Sequence, residues 1–222
     1  MSDIDYFRGS HNGFNFFRSV AHDFRFYRSN PFYFDPCGIW VFCGAQGSGK
    51  TLSAVKTLKA LLQEYPAAQV CTNLEVKGID RPVIPFTDYS QITDLSNGIY
   101  GMIYLIDEIH VLWNSLESKK IPIEEMAVFA QMRKERRIIL GTSQVYSRVA
   151  KPIREQIKYV IKCRNVLKYL QINQIIDPNA DGYTGEQDGH LEGELISTQW
   201  FFHTPEDYEA YSTLERIKRV ER

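Results

Sequence analysis

The chain has 222 residues, 44% of them hydrophobic, with 26 Lys and Arg against 27 Asp and Glu. That length supports one domain of ordinary size with a sizeable core and appendages. The formal charge of −1 excludes a globally basic nucleic-acid field, so any DNA contact must come from a local patch or from a ring of subunits that concentrates a few basic loops.

Residues 1–36 carry eleven aromatics interleaved with Arg8, Arg18, Arg25 and Arg28, the charge nearly balanced by Asp3, Asp5 and Asp23. Three readings of this arm stay open: a segment folded back on its own domain, a docking arm for a capsid-vertex or membrane protein, or a nucleic-acid surface on which stacking and Arg cooperate. Asn30-Pro31 and Asp35-Pro36 then punctuate the way into the first strand.

That strand is the apolar run 39–43, and it leads into Gly44-Ala45-Gln46-Gly47-Ser48-Gly49-Lys50-Thr51-Leu52. The pattern is the full G-x-x-x-x-G-K-[ST] phosphate loop between a buried strand and a helix over about 51–63. Its glycines let backbone N–H groups turn inward around a phosphate chain, and the helix adds the positive end of its dipole. Lys50 is expected to reach the β- and γ-phosphates of ATP and the Thr51 hydroxyl to bind Mg²⁺. A chance Gly-rich turn is the competing reading.

Ala54, Val55, Leu58, Leu61 and Leu62 repeat at helical spacing and predict a helix packed on the sheet. A second strand is expected over 69–73, then a loop-rich passage with Gly78, Pro82 and Pro85, and a short helix over 89–95. The run 102–106 is a further buried strand, ending in Asp107-Glu108. An Asp at a strand's carboxyl end holds the Mg²⁺ shell, and a carboxylate directly after it can deprotonate an attacking water. That pair points to a hydrolysing ATPase; an acidic N-cap for the next segment is the alternative. His110 has no second metal ligand at useful spacing.

An amphipathic helix is expected over 123–135, closed by the basic cluster 133–137. The strand over 138–144 follows, tipped by Gln144. Placed between the two motif strands, it would set Gln144 beside the γ-phosphate; a cap or loop role is the alternative. Arg133, Arg148 and Arg154 are candidates for an arginine acting on a neighbouring subunit's site. A fifth strand over 159–163 completes a parallel α/β core with its ligand site at the strands' carboxyl ends. Two longer strands over 166–176 and 191–203, joined by a polar turn, predict an antiparallel hairpin at the sheet edge, and a last helix is expected from residue 205. Cys37, Cys43, Cys71 and Cys163 are scattered and read as reduced hydrophobes rather than a disulfide frame or metal site. No apolar run approaches 18 residues and no signal-peptide pattern is present, so a soluble cytoplasmic protein is expected.

Gly44 to Thr51, Asp107-Glu108 and Thr142-Ser143-Gln144 together resemble the additional-strand, catalytic-glutamate P-loop ATPases, and among them the FtsK/HerA-type DNA pumps. Thr72-Asn73, Arg133 and the ending Tyr211-Ser212-Thr213-Leu214-Glu215 also look like the Zot-like ATPases of phages. Those that are membrane-anchored carry a spanning helix after the ATPase domain, which is not found in this sequence. The soluble packaging ATPases of tailless, membrane-containing viruses are similar in size. The resemblance implies a RecA-like P-loop NTPase with a mostly parallel sheet flanked by helices. It covers an ATPase core (37–165) and, more weakly, the hairpin and helix completing that domain (166–222), while the aromatic-rich arm (1–36) is set apart by its composition and matches no part of it. It implies an ATP- and Mg²⁺-dependent motor, a ring such as a hexamer, translocating double-stranded DNA during genome packaging. Phage assembly or export of protein, conjugation-type DNA transfer, and a non-motor nucleotide kinase are the alternatives. Glu108 would activate water, Gln144 sense the product state, and Arg133 or Arg148 act in trans.

Overall fold

The computed structural model describes residues 13–116, 128–129, 131–179, 186–187, 190–191 and 193–211. The chain divides into two compact units, Met1–Tyr33 and Phe34–Arg222. The first contains one helix, α1 (Gly13–Ser29). Asn30 closes it by donating from both its backbone N–H and Nδ2 to the Phe26 carbonyl, at 2.9 and 3.0 Å, and Pro31 cannot continue a helix. Phe26, Tyr27 and Tyr33 meet edge to face, with ring centroids 4.7 to 5.9 Å apart, the arrangement the aromatic quadrupole favours. Residues 1–12 of the arm lie outside the described residues.

The second unit is built on eight strands: β1 (Gly38–Cys43), β2 (Gln69–Thr72), β3 (Val83–Pro85), β4 (Met102–Ile106), β5 (Arg137–Ser143), β6 (Ile157–Val166), β7 (Leu170–Asp177) and β10 (Glu194–Phe202). Their order is β10-β7-β6-β1-β5-β4-β2-β3. The six strands from β6 to β3 run parallel, and β7 and β10 add antiparallel pairs at one edge. Two short strands, β8 (Glu186–Gln187) and β9 (His190–Leu191), pair with each other inside the connection from β7 to β10. A mixed α/β fold with a mostly parallel sheet is therefore the architecture, as the motif order predicts.

Its apolar runs explain that architecture. All five residues of β4 are buried, as expected for a parallel strand covered on both faces. On one face α2 (Lys50–Glu64) packs Ala54, Val55, Leu58, Leu61 and Leu62 against Phe42, Ile103, Leu105 and Leu140. Each fully buried Leu in that layer contributes about 1.5–3 kcal/mol. The other face packs Ile39, Val41, Tyr104, Ile106 and Ile139 against Trp113. Buried Cys43, Cys71 and Cys163 have thiols pushed up to about 12 by burial, and all four cysteines are free.

Several boundaries differ from expectation. Residues 83–85, expected as loop, form the edge strand β3 beside β2, where Pro85 is tolerated because an edge needs fewer ladder donors. The strand expected over 166–176 is broken at Leu167 and Lys168, which turn β6 back into β7 with φ of 53° and 65°. Two consecutive positive φ values are a type I′ requirement normally met by Asn-Gly, so Leu-Lys carried no turn signal. Of the helix expected over 123–135, residues 123–127 and 130 lie outside the described residues; Val128, Phe129 and Gln131 are helical, residues 132–135 form a turn instead, and Phe129 packs edge to face on Trp113. Three further short helices are α3 (Ser90–Asp94), α4 (Lys151–Arg154) and α5 (Pro205–Glu209). Residues 212–222, which hold most of the Zot-like ending, lie outside the described residues. Among the described residues no helix is long and apolar enough to cross a membrane.

Candidate active site

The loop from β1 to α2 turns at Gly47 and Gly49, whose φ values of 77° and 80° favour glycine. At Gly49 a second constraint acts: a Cβ there would run into Gln171 Oε1. The Lys50 side chain is buried, and Nζ donates to the Ala45 carbonyl at 3.0 Å. A buried ammonium is costly without an anion, and no carboxylate is within ion-pair distance of it among the described residues. The loop is thus suited to a polyanion such as a triphosphate. Leu52 belongs to the core, so it can offer only its backbone, while Ala45, Gln46 and Gly47 are exposed at the loop's tip.

β5 lies between β1 and β4, with Cys43 opposite Ser143 and Ile106 opposite Gly141. The absence of a side chain at Gly141 gives Ile109 room to pack there, which draws the segment after Glu108 onto β5. The carboxyl ends of all three strands consequently converge. Thr51 Oγ1 donates to Asp107 Oδ1 at 3.1 Å, and Thr142 Oγ1 donates to the same oxygen at 2.7 Å. Thr142 Oγ1 also accepts from the Glu108 N–H at 2.9 Å. Asn73, at the end of β2, clamps Asp107 by its backbone: the Asp107 N–H donates to Asn73 Oδ1 at 2.8 Å and Asn73 Nδ2 donates to the Asp107 carbonyl at 3.1 Å.

Glu108 sits in the left-handed region, φ 54° and ψ 50°, at a cost of about 1–2 kcal/mol for a residue with a Cβ. Strain of this kind persists where neighbours impose it, and here the Thr142 and Ile109 contacts do so. Gln144 Nε2 points at Glu108 Oε1, 3.5 Å away, and Gln144 Oε1 accepts from Arg148 Nη1 at 3.4 Å. His110 Nδ1 is 3.2 Å from Glu108 Oε2 and 3.3 Å from Ser143 Oγ. Burial, helped by Arg148 and opposed by Glu108, lowers His110 from its ordinary value of 6.5, so the ring is neutral at pH 7.

The structure thus gathers Lys50, Thr51, Asp107, Glu108, Gln144 and Arg148. Arg133 is exposed and makes no described contact with this cluster. Arg154 donates to the Ser147 carbonyl at 3.0 Å and lies over the Tyr146 ring, a packing role. No group of three or more His, Cys, Asp or Glu able to hold a metal occurs among the described residues. One carboxylate with one hydroxyl is nevertheless a hard-oxygen donor pair suited to Mg²⁺, which keeps waters and phosphate oxygens as its other ligands.

Two residues on β7 were not singled out from sequence. Fully buried Gln171 donates from Nε2 to the Ser48 carbonyl and to Asn173 Oδ1, both at 3.0 Å. Asn173 Oδ1 also accepts from Ser53 Oγ at 3.1 Å. Their signal was a polar side chain at every second position of a strand, Gln171 and Asn173 between Leu170, Ile172 and Ile175, which also describes any half-exposed sheet face.

No family model matches the chain, and no curated protein matches it. Among solved structures, the fold is similar to the N-terminal domain of zonular occludens toxin from Neisseria meningitidis, with 17% identity, a TM-score of 0.53, and coverage of 79% of this chain and 98% of that one. It is also similar to the genome packaging NTPase B204 from Sulfolobus turreted icosahedral virus 2 in complex with AMPPCP, with 12% identity, a TM-score of 0.50, and coverage of 76% and 97%. The chain has the fold of these P-loop NTPases.

Proposed function

We propose that the chain is a Mg²⁺-dependent ATPase that works as a ring and moves double-stranded DNA into a viral capsid. One observation carries the hydrolytic part of this reading: Glu108 directly follows Asp107 at the end of β4, with Gln144 of the intervening strand aimed at its carboxylate. In this reading the loop N–H groups and Lys50 bind the triphosphate, and Lys50 leaves the Ala45 carbonyl for the β- and γ-phosphates. Thr51 and Asp107 would hold Mg²⁺, which when bound supplies positive charge against the charge developing on the phosphates. Thr142 and Asn73 fix Asp107 so that its carboxylate needs no reorganisation. Glu108 orients the attacking water and takes its proton. Gln144, bridging Glu108 and Arg148, reports loss of the γ-phosphate; Arg148, held beside its own chain's Glu108 through Gln144, and the exposed Arg133 are the candidates for action in trans.

The packaging part draws on the structural likeness to the packaging NTPase and on the size of the core. The likeness to the zonular occludens toxin domain favours a second reading, an assembly or export ATPase acting on virion components. Steady-state ATPase activity with and without double-stranded DNA at low salt separates them. Stimulation of about tenfold or more is expected for the DNA motor; hydrolysis indifferent to DNA would transfer the lead to the export reading.

A further inference from the structure

Beyond the hydrolytic cluster, the antiparallel edge of the sheet touches the phosphate loop at one buried amide. Both N–H groups of Gln171 Nε2 are committed to acceptors, Ser48 O and Asn173 Oδ1. The opposite atom, Oε1, lies against Gly49 and 3.4 Å from His203 Nε2. His203 Nδ1 is 2.8 Å from the Tyr208 hydroxyl, which donates to the Lys168 carbonyl at 2.8 Å. The Tyr208 hydroxyl gives its one hydrogen to Lys168, so His203 donates to Tyr208 from Nδ1, and only a ring protonated on both nitrogens also donates from Nε2 to Gln171 Oε1; in that form a continuous polar path leads from Ser48 through Gln171, His203 and Tyr208 to the turn joining β6 and β7.

The peptide between Ser48 and Gly49 gives that path a reason to respond to ligand. A trans peptide is planar, with C=O and N–H on opposite sides. Gln171 holds the carbonyl, so the Gly49 N–H of the same peptide projects away from it. An anion accepting from that N–H polarises the peptide and strengthens the bond the carbonyl accepts. Coupling is reciprocal: a firmer Gln171 contact must also favour the anion. A second tie runs beside the first, because Lys56 of α2 pairs with Asp207 of α5 at 3.1 Å and lies over the Phe201 ring at 4.2 Å.

We propose that Gln171 is a positioning residue of the phosphate loop and couples its occupancy to the β6–β7 turn and the segment that follows β10. The inference rests on the reading of Gly44 to Thr51 as a nucleotide site. It is tested with the full chain, a fluorescent ATP analogue for affinity, and amide hydrogen exchange with and without Mg²⁺–AMPPCP. Wild type is expected to bind and to show slowed exchange at residues 167–169 and 203–208. Gln171→Glu keeps the shape but presents oxygen to the Ser48 carbonyl; it is expected to weaken binding at least about tenfold and to lose the exchange change. Tyr208→Phe cuts the path at an exposed residue far from the loop; affinity is expected to stay within about twofold while the change at 167–169 disappears. If wild type binds no nucleotide, the site reading itself fails, and the coupling with it. If wild type binds and Gln171→Glu binds equally tightly, or Tyr208→Phe retains the full exchange change, the coupling is overturned while the nucleotide site stands. Should Gln171→Glu not fold, Tyr208→Phe decides alone.

Discussion

At the scale of single residues, the Asp107–Glu108 pair depends on side chains that stand behind it. Thr142 serves two neighbours with one hydroxyl, donating to Asp107 and accepting from Glu108. Thr142→Val keeps the shape and removes both bonds, leaving Asp107 Oδ1 the Thr51 hydroxyl alone and taking the acceptor from the part-buried Glu108 N–H; an unmet donor of this kind costs about 1–3 kcal/mol. We expect hydrolysis to fall about tenfold or more with nucleotide affinity nearly kept, measured by turnover beside titration with a fluorescent analogue. The loop, Asp107 and Glu108 were legible because their chemistry demands fixed residue types at fixed spacing. Gln171 was not, because a buried glutamine reads like any polar residue on a strand until its partner Ser48, distant in sequence, is known.

At the scale of elements, α2 anchors the phosphate loop through its apolar stripe. Leu58 is fully buried in that stripe, and Leu58→Ala is expected to lower stability by about 2–5 kcal/mol, measured by denaturant unfolding. The contact of α5 with α2 carries a pH dependence. Burial alone would raise the Asp207 carboxyl, but the Thr204 amide and Lys56 outweigh it and hold its pKa below 3.8. A depressed folded value means the stabilisation is present above the ordinary Asp range and is lost as pH falls through it toward the folded value. Thermal unfolding of Asp207→Asn is therefore expected to show a smaller acid-induced loss than wild type between pH 6 and pH 3. Strands and α2 were legible from apolar periodicity. The β6–β7 turn and β3 were not, since Leu167-Lys168 lacks turn chemistry and a three-residue edge strand lacks a period.

At the scale of the whole molecule, the strand order is decided by contacts between segments far apart in sequence; the sequence raised only the place of β5 between the two motif strands, as the condition under which Gln144 would serve the site. Assembly leaves less trace: a net charge of −1 says only that DNA contact must be local. If Arg148 acts across subunits, Arg148→Ala is expected to lose at least about tenfold in turnover while still binding nucleotide, and adding a hydrolysis-dead Glu108→Gln chain that supplies Arg148 is expected to restore part of the activity.

Glu108 is the residue proposed to make this fold hydrolytic, and steady-state ATP hydrolysis by wild type and Glu108→Gln side by side, with nucleotide binding measured on both, tests that role. We expect the variant to bind ATP as wild type does and to hydrolyse it at least about a hundredfold more slowly, in line with loss of a general base. Hydrolysis by Glu108→Gln within a few-fold of wild type would contradict it.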